Sequence, residues 1–337
     1  MWWTFASEQH YQAHCDHIEL ARQFMEDGQF DLALEELTGA LAQGDSPNAR
    51  WNRALTLLAL GDYRRGFEDF EARHLLFPVW ERTERLRRDL PRWRGEDLAG
   101  KRLVLIHEAG FGDTIQMLRY VPVLRTRGID VALAMPDELK ELASQLAPTL
   151  DEPTEYDVGC CMYDLMRLLD QDVDSIPRGA YLKPDPGLRE YWGQQLGFEH
   201  RIGIAWSSMR TIFPKRNIAL DHFLELLDAP RYCKVVSLQF HDSSRARGLG
   251  VVVPDYHDFA DVAAMASLMD EIISIDTAVL HIAGAIGHPN VNAVLPYVQC
   301  WRWRNGNPWH PRINLCRQRT PGDWLSAFAQ IRTLVHA

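Results

Sequence analysis

No stretch of this chain approaches ~18 uninterrupted apolar residues, so no membrane-spanning helix is expected. Its six cysteines, Cys15, Cys160, Cys161, Cys233, Cys300 and Cys316, include no C-x-x-C pair. That scatter argues against a zinc site or a disulfide framework, and the expectation is buried thiols in a reduced, cytoplasmic chain. Positive charge is also in short supply. Against 46 Asp and Glu there are 36 Lys and Arg, a formal net charge of -10. A protein that coats nucleic acid carries the opposite sign, so nucleic acid is disfavoured as a partner, a local patch aside. The opening "MWWTFASEQH" lacks a basic region followed by an apolar run, and no leader peptide is expected. What is present is ample material for a core: 46 % hydrophobic residues over 337 positions, enough for about two domains.

The N-terminal part reads as helical over 15–80. "GQFDLALEEL" begins at Gly28 and "GDYRRGFEDF" at Gly61, and each glycine is followed two residues later by an aromatic, Phe30 or Tyr63. Ala33 and Gly66 then share an offset. A helix–turn–helix repeat accounts for this: glycine ends one helix, the aromatic opens the next, and the small residue permits close packing. Residues 81–99, charged and punctuated by Pro91 and Gly95, form a connector. Beyond it, short apolar runs alternate with amphipathic stretches. Strands are expected at 102–107, 129–134, 157–162, 201–206, 233–239, 250–253, 271–275 and 290–295. Such alternation implies parallel sheets with helices on both faces. Two Rossmann-like domains follow, 100–198 and 199–337, facing a cleft onto which the carboxyl ends of their strands open.

Three constellations carry chemistry. In "HEAGFGDTIQMLRY" (107–120), Gly110 and Gly112 precede Asp113, between a strand and a helix expected to begin near Thr114. Asp113 either caps that helix, with Gln116 completing a capping box, or faces the cleft as a base while the glycines admit a ligand. In "IISIDTAVLHIAGAIGHP" (272–289), a strand ends at Asp276, where a helix starts. Asp276 or Thr277 can cap it, and its free N–H groups suit an anion. His281, one turn on, is either a packed core residue or an anion ligand. In "AWSSMRTIFPKRN" (205–217), Ser207, Ser208, Arg210, Lys215 and Arg216 make either a solvated basic loop or a diphosphate clamp.

Other clusters are read more plainly. Asp170, Asp172 and Asp174 lack the glycine and distal glutamate of a calcium loop. His10, His14 and His17 could share a helical face but lack the further ligands of a zinc site. "CWRWRNGNPWHP" (300–311) interleaves aromatics with arginines and could stack bases, although tryptophan packing at a domain edge is the simpler reading.

Taken in order, "EAGFGDTIQMLRYVPVL", "YLKPD", "RIGIAWSS", "VVSLQ", "ISIDTAVLHIAGAIGHP", "LPYVQCWRWRNGNPWHP" and "GDW" resemble bacterial proteins that join tetratricopeptide repeats to a heptosyltransferase-like glycosyltransferase domain. The resemblance covers about residues 15–330. It implies an α/β chain of GT-B architecture preceded by an all-α tetratricopeptide-repeat module at 1–80, with the acceptor on the 100–198 side and the donor on the 199–337 side. It implies Asp113 as catalytic base. Gly110, Gly112, Ser207, Lys215, Arg216, Asp276, Thr277 and His281 would then surround the donor. No metal and no cofactor beyond the nucleotide sugar, itself a substrate, is implied. Phe111 and Ala278 depart from the Leu and Gly usual in heptosyltransferases.

The expected activity is inverting, metal-independent sugar transfer from a nucleotide sugar to a hydroxyl, the repeats presenting a protein or glycan acceptor. Two alternatives stand beside it. One is a non-catalytic, repeat-based interaction module with a degenerate transferase fold. The other is glycosylation of modified DNA bases, using a patch around Arg302 and Arg304.

Overall fold

The structure is a computed structural model that describes residues 7–77, 90–150, 156–197, 199–208, 214–239 and 244–335. Residues 1–6 of the leader reading, 81–89 of the connector and Arg210 of the basic loop lie outside the described residues. Among the described residues there are eight strands: β1 (Arg102–Ile106), β2 (Asp130–Ala134), β3 (Val158–Cys161), β4 (His200–Ala205), β5 (Cys233–Ser237), β6 (Glu271–Ser274), β7 (Val291–Leu295) and β8 (Asn314–Arg317). The chain divides into two compact units. One comprises Met1–Asp97, Val158–Ile176 and Val298–Trp309; the other comprises Leu98–Asp157, Pro177–Tyr297 and His310–Ala337.

The first unit is mainly helical. Helices α1 (Glu8–Glu26), α2 (Phe30–Gln43), α3 (Pro47–Leu60) and α4 (Tyr63–Asp69) pack pairwise in chain order, and α5 (Arg73–Leu76) packs on α3. The punctuation read from the sequence does its expected work here. Gly28 and Gly61 both adopt positive φ, where a side chain would be strained, and Gly61 closes α3. Ala33 is fully buried with Ala21 and Leu37. A Cβ on Gly66 would lie 2.8 Å from the Leu58 side chain, so α3 and α4 approach as closely as the shared small residue suggested.

Aromatics fill this unit. Tyr63 stacks on Trp309 and meets Phe67 and Trp301 edge-on. Trp309 donates from its indole N–H to the Tyr63 hydroxyl at 3.2 Å. Burial pushes that phenol well above its ordinary range. The arginines of the tryptophan-rich segment are spent internally. Arg302 lies over the Trp301 ring and donates to the Tyr163 hydroxyl, while Arg304 lies over Phe30 and donates to the Ala59 carbonyl. The segment is a packing element, and the arginines that a base-stacking surface would use are engaged within it.

Polar packing in the same unit centres on Asp164, whose carboxylate is fully buried. Arg73 donates to it at 2.5 Å and Arg92 at 2.8 Å, and His74 Nε2 lies 3.0 Å away. Burial alone would raise this carboxyl's pKa, but Arg73, His74 and Arg92 outweigh it and hold the group far below the carboxylate range. Glu71, His74 and Asp164 bring metal-type ligand atoms within 4.8 Å of one another. Guanidinium groups already lie on both carboxylates, Arg92 bonding Glu71 at 2.6 Å as well, so the cluster is an ion-pair network.

The histidines of α1 are also separately employed. His14 bonds the Ala40 carbonyl and Ser46, His17 pairs with Glu36, and His10 bonds Ser7. Asp170 pairs with Arg64, and Asp172 accepts the N–H groups of Asp174 and Ser175.

The second unit is α/β. β1 pairs with β2 in parallel. A five-stranded parallel sheet follows in the order β5-β4-β6-β7-β8. In order along the chain this is 2-1-3-4-5, the doubly wound arrangement in which the winding reverses between the first and third strands. Its core includes Ile202, Ile204, Trp206, Phe223, Val294 and Phe328. The strand expected at 250–253 is only a single bridge, Val252 to Val236, because Pro254 ends the run. β8 was not anticipated. No described helix is long and apolar enough to cross a membrane, and all six cysteines are free thiols.

Replacing Asp164 by Asn should cost about 3 kcal/mol, since the arginines then lose their buried counter-charge. A depressed carboxyl contributes its stability above the unfolded value of ~4 and loses it as pH falls further. The difference in melting temperature between wild type and Asp164→Asn should therefore be constant from about pH 7 to 5 and shrink below about pH 4. Calorimetric scans across that range check it.

Candidate active site

The switch point of the five-stranded sheet lies between β4 and β6, so the loops after these two strands meet at its carboxyl edge. After β4, the chain is held by side chains from a distance. Gln239 Oε1 accepts the N–H groups of Trp206 and Ser207, at 3.1 and 2.8 Å. Asn217 Oδ1 accepts that of Ser208 at 3.0 Å, and its amide donates back to the Ser208 carbonyl. Three successive backbone donors are thereby used within the protein. The Ser208 hydroxyl accepts from Arg216 Nη2 at 2.7 Å, and Arg216 Nη1 points to Asp276 Oδ2 at 3.4 Å. Lys215 is exposed.

After β6, Thr277 caps the helix Ala278–Ala285, its hydroxyl accepting the Val279 N–H at 3.3 Å. The Ser274 hydroxyl, 3.1 Å from that of Thr277, steadies the cap. Asp276 precedes it, largely buried, and so faces both a cation and the positive end of a helix. Of the two capping candidates, Thr277 is the cap.

The glycine-rich loop after β1 comes to the same place. Its helix is Phe111–Met117, three residues earlier than expected, with Gly110 at the N-cap. Asp113 is consequently the third helical residue. Its Oδ2 accepts the Gly110 N–H at 2.8 Å, which closes the turn from inside the helix. Gln116 does not complete a capping box and is fully buried instead. Ala109, just before, has φ of 65°, a left-handed conformation seldom adopted by a residue with a Cβ. Gly112 lies against the Ala278 helix: a Cβ there would sit 3.2 Å from Ala278 Cα and 2.9 Å from the His281 ring. Gly112 thus answers first to helix packing, and Asp113 is the residue beside that contact. Phe111 extends it by meeting Phe259 at 4.9 Å.

His281 is buried, with Nδ1 3.2 Å from Nε2 of His310. His310 in turn lies 3.4 Å from Nη2 of Arg119, whose other donors reach the carbonyls of Gln116 and Pro177. Burial first, then Arg119 and His281, push the His310 pKa well below the ordinary value. This chain ties the end of the Phe111 helix to the Ala278 helix, and it gives His281 a positioning job through packing. Asp113, Ser208, Arg216, Asp276 and Thr277 are thus held on neighbouring elements, Gly112 and His281 form the contact between them, and Lys215 stands outside the hydrogen-bonded set. Gln239, Asn217, His310 and Arg119 were not anticipated.

No family model matches the chain. Protein FlbA of Caulobacter vibrioides is 26 % identical over 354 residues, covering 91 % of this chain and 58 % of that protein. The chain thus spans little more than half the length of that relative. Among solved structures, the ADP-heptose LPS heptosyltransferase II of E. coli aligns with 70 % of this chain and 100 % of its own, at 13 % identity and a TM-score of 0.49. A family 9 glycosyl transferase of Veillonella parvula aligns with 72 % of this chain and 98 % of its own, at 13 % identity and a TM-score of 0.47. At these levels none of the three fixes an activity for this chain.

The packing ranks three glycine substitutions. Gly284→Ala should be the most damaging, because its Cβ would fall on the ring of His310. Gly112→Ala should cost about 1–3 kcal/mol, the usual scale for overpacking, since a helix backbone must move. Gly110→Ala should cost least, its Cβ meeting only the Asp113 carboxylate at 3.0 Å. Denaturant melts of the three variants test the order.

Proposed function

We propose that the chain is a glycosyltransferase of GT-B architecture that moves a sugar from a nucleoside diphosphate sugar to an acceptor hydroxyl. The observation that carries this reading is the meeting of three loops. Arg216 and Ser208 come from the loop after β4, Asp276 and Thr277 from the loop after β6, and Asp113 stands next to Gly112, which touches the helix beginning at Ala278. Transfer to a hydroxyl requires a carboxylate to take the proton, and a cation with a helix N-terminus to hold the departing diphosphate.

In this reading the acceptor oxygen attacks the anomeric carbon and passes its proton to Asp113. The bond from that carbon to the diphosphate oxygen breaks with inversion. The electron pair leaves with the nucleoside diphosphate, whose charge Arg216, the Ser208 hydroxyl and the Ala278 helix N-terminus offset. No metal is required of this arrangement, since cation and dipole are already supplied by the chain. Lys215, exposed nearby, is available to a bound diphosphate, whereas His281 acts by holding the helix start. Gly110 and Gly112 keep side chains away from the loop that carries Asp113.

The helices α1 to α5 are read as tetratricopeptide-like repeats that dock a protein or glycan acceptor. Trp51 and Phe77, beside Asn48 and Asn52, line a groove of about 570 Å³ there. The six free thiols suit a cytoplasmic enzyme. The non-catalytic alternative draws on one observation, that Asp113 already serves the Gly110 N–H.

A single variant separates the two. Asn accepts that N–H about as well as Asp but cannot take a proton. Asp113→Asn should leave the melting temperature nearly unchanged, a few tenths of a kcal/mol on the capping scale, and lower turnover by ~10²-fold or more. Sugar transfer or donor hydrolysis, measured over a panel of nucleotide sugars, reads this out. Wild-type protein that neither binds nor turns over any donor would favour the scaffold.

A further inference from the structure

Within that reading of the site, Asp276 has an awkward position for a residue that helps to hold a diphosphate. Its carboxylate is negative. It is aimed at Arg216, 3.4 Å away, and it stands immediately before the N-terminus of the Ala278 helix. These are the two features that would attract an anion. Three backbone donors of the region are committed elsewhere: the N–H groups of Trp206 and Ser207 to Gln239, and that of Ser208 to Asn217. Among the described residues of the loop after β4, the backbone donors of 206–208 are therefore taken, and Arg216 is the cation there that is paired with a carboxylate. Arg216 also donates to the Ser208 hydroxyl at 2.7 Å, which orients it beside Asp276.

We propose that Asp276 is an internal counter-ion that competes with the diphosphate for Arg216. With the site empty, the carboxylate holds the guanidinium and neutralises it. When a diphosphate arrives, Arg216 exchanges one acceptor for the other, and Asp276 remains close to the new negative charge. Affinity is thereby held down, and the free nucleoside diphosphate left after transfer is expelled by the returning ion pair. Asp276 is a positioning residue that limits product retention. This assigns its charge the opposite sign of effect from that of a ligand-holding group.

The test is titration calorimetry of the full-length chain with inorganic pyrophosphate, ADP and UDP. Asp276→Asn should bind pyrophosphate and the better nucleotide about five-fold or more tighter than wild type, the scale of a partly buried ion pair. Adding Arg216→Ala to it should abolish the gain. Asp276→Ser, which also removes the charge, should reproduce the gain if Asn perturbs the loop, and melting curves accompany each titration.

Several results would overturn the idea. Unchanged affinity would do so, as would a gain that survives loss of Arg216. If Asp276→Asn weakens nucleotide binding but leaves pyrophosphate unaltered, Asp276 is instead a sugar-hydroxyl acceptor. In each of these cases the nucleotide site itself stands. If neither wild type nor the charge-removed variants bind any of the three probes, the nucleotide reading falls, and the competition falls with it.

Discussion

The contact of Gly112 with the start of the Ala278 helix is the constraint on which the site depends. A loop after β1 and a loop after β6 belong to different sheets, and ordinary side chains would hold their helices apart. With hydrogen in place of a methyl group, backbone approaches backbone, and the residues on either side become neighbours. The His281–His310–Arg119 chain reinforces the same approach from beneath, where Gly284 again makes room for a ring. Both glycines lie outside the left-handed region, so what they contribute is space. Backbone strain is carried by Ala109 instead.

Charge is distributed with equal economy. The chain is acidic overall, yet several of its arginines are engaged inside the protein. Arg73 and Arg92 neutralise the buried Asp164. Arg302 and Arg304 lie over aromatic rings. Arg119 reaches two backbone carbonyls. Arg216 differs in kind, since its carboxylate partner is separated from it by 3.4 Å and a hydroxyl shares the load. A net negative charge does not cancel the field of a partly buried cation such as Arg216, because that field is local and partly desolvated.

Much of this was legible in the sequence, for reasons that vary by element. β1, β4, β6 and β7 are mostly buried strands built around Val, Ile, Leu or Ala, and such apolar stretches announce themselves. β8 did not, because it lies at the sheet edge with only Cys316 buried, and "NLCR" carries no apolar run. The segment 250–253 misled for the converse reason: three valines look like a strand, but the chain touches β5 through Val252 alone. Gly110, Gly112 and Asp113 were visible as a motif, while the true helix start was hidden, since the cap is a glycine without a side chain to signal it. Gln239, Asn217, His310 and Arg119 could not be found by spacing. Each acts on a partner 9 to 191 positions away or across the fold, and an isolated Gln or His in a sequence carries no sign of what it will meet.

The tryptophan segment Val298–Trp309 has a further consequence. It belongs to the helical unit, yet it is encoded between β7 and β8 of the other one, and Val158–Ile176 is interleaved in the same way. The smaller unit is therefore assembled from three separate stretches of chain. Tyr63 and Phe67 acquire their neighbours Trp301 and Trp309 only after more than two hundred further residues have been synthesised. On a ribosome, α4 emerges long before its aromatic partners exist, and it must wait, part-formed, for the last third of the protein. A gene rearrangement that cut the chain near its first hundred codons would carry away α4 without the tryptophans that Tyr63 and Phe67 pack against. The two units have to be inherited, expressed and repaired by selection as one piece.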